Sequence, residues 1–487
     1  MSMKTNTKKS MKKNSNTELN NKKGNAELRV TMVFFSLLFV GMITYLCIYT
    51  TTNKKDLFNN SYNSRQAQMA LINKRGVIED RNGNILAQTV LTENGETRVY
   101  PYGNLFSHVV GYSTKGKTGI EELANYDLMN SNIPMSEKIE NEINGRKNPG
   151  NTVITTLDAD IQQVTYDAIG AYKGAAIVTN VKTGEILAMV SKPDFDPNSV
   201  AIDWDKHLED EESGVLLNRV TQGIYPPGST FKMLTTLEYA KEHDNQMEDY
   251  HFSCHGRFTY ANTTIQCYHG SVHGEEDFKT SFAKSCNTSF ANIGVNLDRN
   301  EFGNTLDALM FNSELPIPLP YKQSELYLDD SISNDDMIQV AIGQGKAQIT
   351  PAHLNLITCA IANDGKLMTP MLIKEVETYN GVDISKNNAK LYKQLLTKEE
   401  SDILTDYMIG VVNSGTAKKL QSEYYQAAGK TGSAEFAQNH EDSHAWFTGF
   451  APAEDPEIAV TIIIESIGSG GDYAVPIARR IFDACLK

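Results

Sequence analysis

The residues best placed for covalent chemistry lie in the stretch YPPGSTFKM at 225–233. A Pro-Pro-Gly run cannot be helix interior, whereas Met233, Leu234, Leu237 and Ala240 recur at helical spacing, so Ser229 falls at a helix start. Ser229 and Lys232 are then i and i+3 on one helical face, with the amine within reach of the hydroxyl. A hydroxyl becomes a useful nucleophile only when something takes its proton, and a lysine can do that only if burial or a second cation lowers its pKa. Most S-x-x-K tetrapeptides are simply capped, solvent-facing turns. Two further segments weigh against that bland reading here: Ser285-Cys286-Asn287, and Lys430-Thr431-Gly432-Ser433 inside a strand-like run.

A phosphate-binding reading of AAGKTGS fails. A Walker A loop needs glycine five positions before Gly429, and Tyr424 stands there.

Segments so distant must be gathered by a fold. From Gly150 the pattern predicts a helix over 156–172 with Asp158 near its N-cap, then two strands, GAAIVTNV and EILAMVS, joined by a Lys182-Thr183-Gly184 hairpin. Three more strand-like runs, 425–436, 444–453 and 457–466, precede a closing helix from about Pro476, and the middle, 228–415, is mainly helical in pattern. Strands at both ends around a helical centre predict one antiparallel sheet with helices on its faces, an α+β domain over 151–487. Ahead of it, 57–150 is a small strand-rich module. In it Asn82-Gly83 between Val77-Ile78 and Ile85-Leu86 signals a type I′ hairpin, and 119–128 a short helix.

The chain has 487 residues, 22% charged and 40% hydrophobic, with six cysteines. At ~150 residues per domain that allows two or three domains and excludes a disulfide-stapled miniprotein. The net charge of −15 is uneven: 1–29 carries eight Lys/Arg against two Glu, leaving the remainder at −21, which argues against a nucleic-acid partner. Residues 30–52 hold no charge, and about 20 apolar residues span a bilayer core. A transmembrane helix with a cytoplasmic, basic and disordered N-terminal tail over 1–29 follows from the positive-inside rule and puts everything after Asn53 outside the membrane. A cleaved signal peptide competes, but the stretch exceeds a usual h-region and no clear A-x-A site follows.

S-x-x-K, S-x-N and K-T-G in this order make the chain resemble the serine β-lactamases and penicillin-binding proteins. Among them it is most similar to the class B penicillin-binding proteins, the monofunctional peptidoglycan transpeptidases. RGVIEDRNGNILA (75–87), NTVITTLDADIQ (151–162), AIGQGKAQITPAH (341–353), IANDGKLMTP (361–370), GTAKK (415–419) and HAWFTGFAP (444–452) extend the likeness. The resemblance implies a serine β-lactamase/transpeptidase-like domain with a five-stranded antiparallel sheet, standing on an N-terminal pedestal of dimerisation-domain type. It implies that Ser229 acylates on the penultimate D-alanine of a stem pentapeptide, with Lys232 as general base. Ser285 would pass protons, and Asn287 would hold the donor amide and Lys232. Lys430 would depress Lys232 by charge repulsion and attract the donor carboxylate. Thr431 and Ser433 would bind that carboxylate, Gly432 would let substrate lie against the strand, and the N–H groups of Ser229 and Ser433 would form an oxyanion hole. β-Lactams would be covalent inhibitors, a SEDS-type polytopic glycosyltransferase the expected partner, and neither cofactor nor metal is needed.

A D,D-carboxypeptidase or β-lactam hydrolase would share the acylation, but no E-x-x-L-N segment offers a deacylating base. A penicillin sensor or idle scaffold is the other alternative; sensors of this type need more than one membrane span. Cys286 is expected to be a small buried side chain. Cys254 and Cys267 leave three readings open. They could form a disulfide worth ~3 kcal/mol for a loop of about 14 residues, stay free, or join a zinc site with His255, His269 or His273, although C-x₂₋₄-C spacing is missing. His444 is expected to be structural.

Overall fold

The computed structural model describes residues 5–59, 64–93, 95–210, 212–435 and 443–487. Two units divide between Gln68 and Met69. In the first, one helix runs Thr5–Thr52. Its Asn25–Thr52 portion is long and apolar enough to cross a membrane, and its side chains are exposed, as a single-pass anchor requires. The tail expected to be disordered is helical from Thr5 onward, residues 1–4 lying outside the described residues. Extending an existing helix costs far less than nucleating one, and lysine is a good helix former.

The second unit is organised by a five-stranded antiparallel sheet. Its strands are β1 (Gly174–Asn180), β2 (Ile186–Lys192), β3 (Ala428–Glu435), β4 (Ser443–Ala451) and β5 (Ile458–Ile464), in the order β3-β4-β5-β1-β2. The two strands from one end of the chain thus complete a sheet begun by three from the other, as the sequence pattern predicts. Phe436 is outside the described residues. Every residue of β2 and of β5 is buried, so both faces of the sheet are covered.

The covering helices include α1 (Ala159–Ile169), α2 (Lys232–Glu242), α3 (Asn287–Asn296), α4 (Pro351–Ala362), α5 (Lys398–Asn413) and α6 (Ala474–Leu486). Asp158 caps α1, accepting from the amides of Asp160 and Ile161. Thr350 caps α4, which has Pro351 in its first turn and is buried along its whole length. Thr358 of α4 meets Thr448 of β4 at 2.6 Å, whereas Phe482 of α6 packs on Phe447, the adjacent residue of that strand. Neighbouring strand residues point to opposite faces, so α4 and α6 sandwich the sheet.

A second sheet, of six strands, has the order 383–386, 373–377, 152–155, 78–79, 85–92, 95–99. Residues 152–155 pair in parallel with 78–79, and 373–377 add a strand from far along the chain. The Asn82-Gly83 hairpin forms, but only Gly83 has positive φ, so it is not type I′. Asp80 instead builds a longer turn, its carboxylate accepting from the amides of Asn82 and Asn84 at 2.8 Å. Residues 119–128 form two short helices, broken at Ala124. The first carries Glu121, fully buried between Arg75 and Arg98 at 2.6 and 2.7 Å.

Candidate active site

Ser229 lies on a single 3-10 turn, Gly228–Phe231, that runs into α2, as the Pro-Pro-Gly run dictates. The turn is pinned from three sides. The Gly228 amide donates to the Gly343 carbonyl at 2.8 Å, and the buried Trp446 of β4 donates its indole N–H to the Pro226 carbonyl at 3.0 Å. Tyr225 pairs by backbone with Ile349 and donates its hydroxyl to Glu465, which also holds Arg219. Gly343 has φ +77°, and a Cβ there would stand 1.9 Å from the Gly228 carbonyl oxygen. No side chain fits at that crossing.

Lys232 and Lys430 are both fully buried and converge on one hydroxyl. Lys430 Nζ donates to Ser285 Oγ at 2.9 Å and to the Thr431 carbonyl at 3.1 Å. Lys232 Nζ donates to the Ser285 carbonyl at 2.8 Å and to Asn287 Oδ1 at 2.7 Å, and stands 3.4 Å from Ser285 Oγ. Ser285 reaches this position with φ +59°, a left-handed conformation costly for a non-glycine residue and held by its surroundings. Asn287 opens α3 and donates its amide to the Gln266 carbonyl.

Burial lowers both lysines, because the ammonium form loses its water. Lys232 comes down to about 8. Lys430 falls well below its ordinary value, through burial first and the neighbouring Lys232 second. Charge repulsion therefore acts on Lys430, and burial carries the effect on Lys232, the reverse of the division expected from sequence.

Ser229, Ser285, Asn287, Thr431 and Ser433 line one cleft of about 460 Å³. Thr431 and Ser433 face it because they alternate along β3 with Lys430 and Gly432. β3 is the edge strand, so its outer side is open to an added chain among the described residues. The arrangement sets two buried amines on one hydroxyl bridge at the cleft that Ser229 lines, so it can move a proton across that bridge and receive an extended carboxylate-bearing ligand.

Residues 174–483 match the penicillin binding protein transpeptidase domain, and 75–153 the penicillin binding protein A dimerisation domain. The chain belongs to the penicillin-binding transpeptidases. It is 28% identical to the peptidoglycan D,D-transpeptidase PbpA of Mycolicibacterium smegmatis over 95% of this chain and 99% of that one. The D,D-transpeptidase domain of an Eggerthella lenta peptidoglycan glycosyltransferase superposes with a TM-score of 0.77 at 31% identity, covering 85% of this chain and 98% of that structure. A ceftriaxone acyl-enzyme of penicillin-binding protein A from M. tuberculosis superposes with a TM-score of 0.79 at 27% identity, covering 87% and 100%.

In this penicillin-binding transpeptidase several placements differ from those read in sequence. A Cβ on Gly432 would meet the Pro227 carbonyl oxygen at 2.9 Å and Trp446 Cβ at 3.1 Å. The glycine lets β3 close on the Ser229 turn, and does not face the cleft. Thr416, whose hydroxyl lies 2.5 Å from that of Thr431, and Lys418 also line the cleft. Their only sequence signal is the GTAKK segment. Nor is Cys286 merely a small buried side chain. It meets Cys254, Cys267 and His273 in one cluster, which the spacing rule for paired cysteines missed because the four residues come from a strand end, two loop positions and a helix cap. His255 and His269 take no part in it.

Proposed function

We propose that this membrane-anchored protein is a penicillin-binding D,D-transpeptidase that cross-links peptidoglycan stem peptides through a Ser229 acyl-enzyme. The observation that carries the reading is the sharing of Ser285 Oγ by two buried lysines at the cleft that Ser229 lines. Neutral Lys232 takes the Ser229 proton as Oγ attacks the carbonyl of the penultimate D-alanine. The bond to the terminal D-alanine breaks, and its amine takes a proton returned through Ser285 and Lys232. An amine from a second stem then attacks the ester, giving the new peptide bond and restoring Ser229.

The amides of Ser229, at a turn's start, and Ser433, on the edge strand, hold the oxyanion. Thr431 and Ser433, with a protonated Lys430, hold the donor carboxylate, and Asn287 orients Lys232 and the donor amide. A carboxylate arriving beside Lys430 favours its ammonium form, against the lowering by burial and Lys232. Gly432 serves by letting β3 and the nucleophile's turn come together.

The distribution of basic residues around the anchor supports a cytoplasmic N-terminus, with 57–150 as pedestal and 151–487 as an extracytoplasmic catalytic domain. A SEDS-type glycosyltransferase is the proposed membrane partner. Fluorescent penicillin should label the full-length protein and leave Ser229→Ala unlabelled; a persistent covalent label on the alanine variant overturns the assignment. Lipid-linked glycan polymer supplied with the partner should yield cross-linked muropeptide dimers. Release of D-alanine without dimers would make the protein a carboxypeptidase.

A further inference from the structure

We propose that the helix Met135–Ile143 of the 57–150 module docks by its apolar stripe into the lipid surface of the membrane that holds the anchor. The helix is amphipathic, but its apolar side faces outward. Met135, Ile139 and Ile143 stand 70%, 50% and 79% exposed, whereas Asn141 is its one buried residue. At about 100° per residue the three apolar side chains fall within an arc of about 80°, with Asn141 on the opposite side. A surface helix ordinarily turns such a stripe toward the core. Here Ser136, Lys138, Glu140 and Glu142 border it, the pattern of a helix lying in the plane of a bilayer interface.

What covers the stripe follows from where the chain enters the module. Asn141 donates its side-chain amide to Asn148 Oδ1 at 3.2 Å, and Asn148 donates to Asn73 Oδ1 at 3.1 Å, all three side chains being buried. Residues 73–74 also pair in parallel with 148–149. The inner side of the helix is thus linked, through Asn148, to the residue at which the chain arrives from its apolar N-terminal segment. Leu71 and Ile72, directly before Asn73, are 77% and 60% exposed and add apolar surface there. The membrane-crossing portion ends at Thr52, 21 residues before Asn73, so even a fully extended link keeps Asn73 within about 75 Å of it. A stripe tethered that closely meets the bilayer at high effective concentration, and weak insertion is enough to hold it.

A second copy of the chain fits the stripe less well. Three side chains on one nine-residue helix fall far short of the roughly 20–30 residues that each side of a stable protein interface presents. A lipid surface needs neither a matching outline nor aligned hydrogen bonds, only apolar groups at its edge. Charge does not select the partner, since the helix carries one lysine against three glutamates, and the nearby Arg146 and Lys147 are paired with Glu140 and Glu96. Burial of apolar side chains, not attraction to anionic headgroups, therefore drives the docking. Docked in this way, the helix holds the 57–150 module against the bilayer and limits how far the body can swing on its tether.

The inference rests on membrane anchoring and not on transpeptidation, and the test separates the two. Full-length protein is inserted in phosphatidylcholine vesicles, and flotation shows that the anchor holds. Ile139→Trp reports on the stripe, Tyr327→Trp, at a position 70% exposed in the catalytic domain, serves as the control, and the emission of Trp204 and Trp446 in the wild type is subtracted. Lipid brominated in its acyl chains should quench the added emission at 139 at least about twofold and leave that at 327 unchanged. Adding Met135→Gln and Ile143→Gln should abolish the quenching, while Tm and penicillin labelling in detergent stay as in the parent, because both positions are exposed. Protein that floats yet shows no quenching at 139, or equal quenching at 139 and 327, overturns the docking. Emission at 139 that changes only as copies are crowded in the vesicle gives the stripe to a second copy and overturns it as well. Protein that fails to float overturns the anchor itself.

Discussion

The pH dependence of acylation tests the lysine pair most directly. Desolvation brings Lys232 from 10.5 to about 8, opposed by Glu276 and by the sulfurs of Cys286 and Cys267. At 1.36 kcal/mol per pH unit this corresponds to about 3 kcal/mol of destabilised ammonium. A general base must be neutral, so the competent fraction grows as pH rises: about one molecule in a hundred at pH 6, one in ten at pH 7 and nine in ten at pH 9. The second-order rate constant for fluorescent penicillin should therefore rise about tenfold between pH 6 and 7 and level off above about 8.5. Lys430→Met separates the two lysines. Burial and Lys232 draw Lys430 down, while Lys232 is lowered by its own burial, so loss of Lys430 should slow acylation while moving the inflection by less than about half a pH unit. A profile flat from pH 6 to 9, or one falling with pH, refutes a buried lysine base. An inflection displaced upward by more than about one unit in Lys430→Met shows instead that Lys430 holds a standing charge.

Three substitutions probe what positions these groups. Gly343→Ala places a methyl 1.9 Å from the Gly228 carbonyl at φ +77°, so it should cost at least about 3 kcal/mol and impair acylation, read by Tm and penicillin labelling. Ser285→Gly relieves the left-handed backbone but removes the hydroxyl between the lysines; unfolding free energy should change by less than about 1 kcal/mol while acylation falls about a hundredfold or more. Glu121→Gln leaves Arg75 and Arg98 buried without their counter-charge and should cost about 3–5 kcal/mol by denaturant titration, although it is remote from Ser229.

What the sequence made legible follows from how local each cause is. Helix starts at Ser229 and Asp158 are dictated by adjacent residues, Pro-Pro-Gly in one case and a capping carboxylate in the other, so they could be read directly. Strands β1, β2 and β5 were legible because their apolar runs are nearly continuous, as strands buried on both faces must be. The reason for Gly432 was not, since the Pro227 carbonyl that excludes a side chain there comes from a turn distant in sequence. The cysteine cluster failed for the same reason: its spacing rule describes ligands on one knuckle, whereas here Cys286 arrives on a separate helix. The strand at 373–377 is too short and mixed in pattern to announce that it joins a sheet begun near residue 78.

An acidic chain could have neutralised its buried lysines with carboxylates, as Glu121 does for Arg75 and Arg98. At the cleft the hydrogen-bonding partners of Lys232 and Lys430 are hydroxyl, carbonyl and amide oxygens. Such acceptors satisfy an ammonium's donors and still accommodate a neutral amine, whereas a paired carboxylate would hold the charge in place and raise the pKa. The lack of a carboxylate among those partners is therefore what permits a lysine to act as a base near neutral pH. It also leaves the role of counter-ion open for the carboxylate a substrate brings, so one feature serves both proton transfer and selection. Introducing Asp at Asn287 tests that coupling: the new carboxylate should hold Lys232 charged, abolish acylation at pH 7 and displace the rate profile upward, and a variant with unchanged rate and profile would separate the two roles.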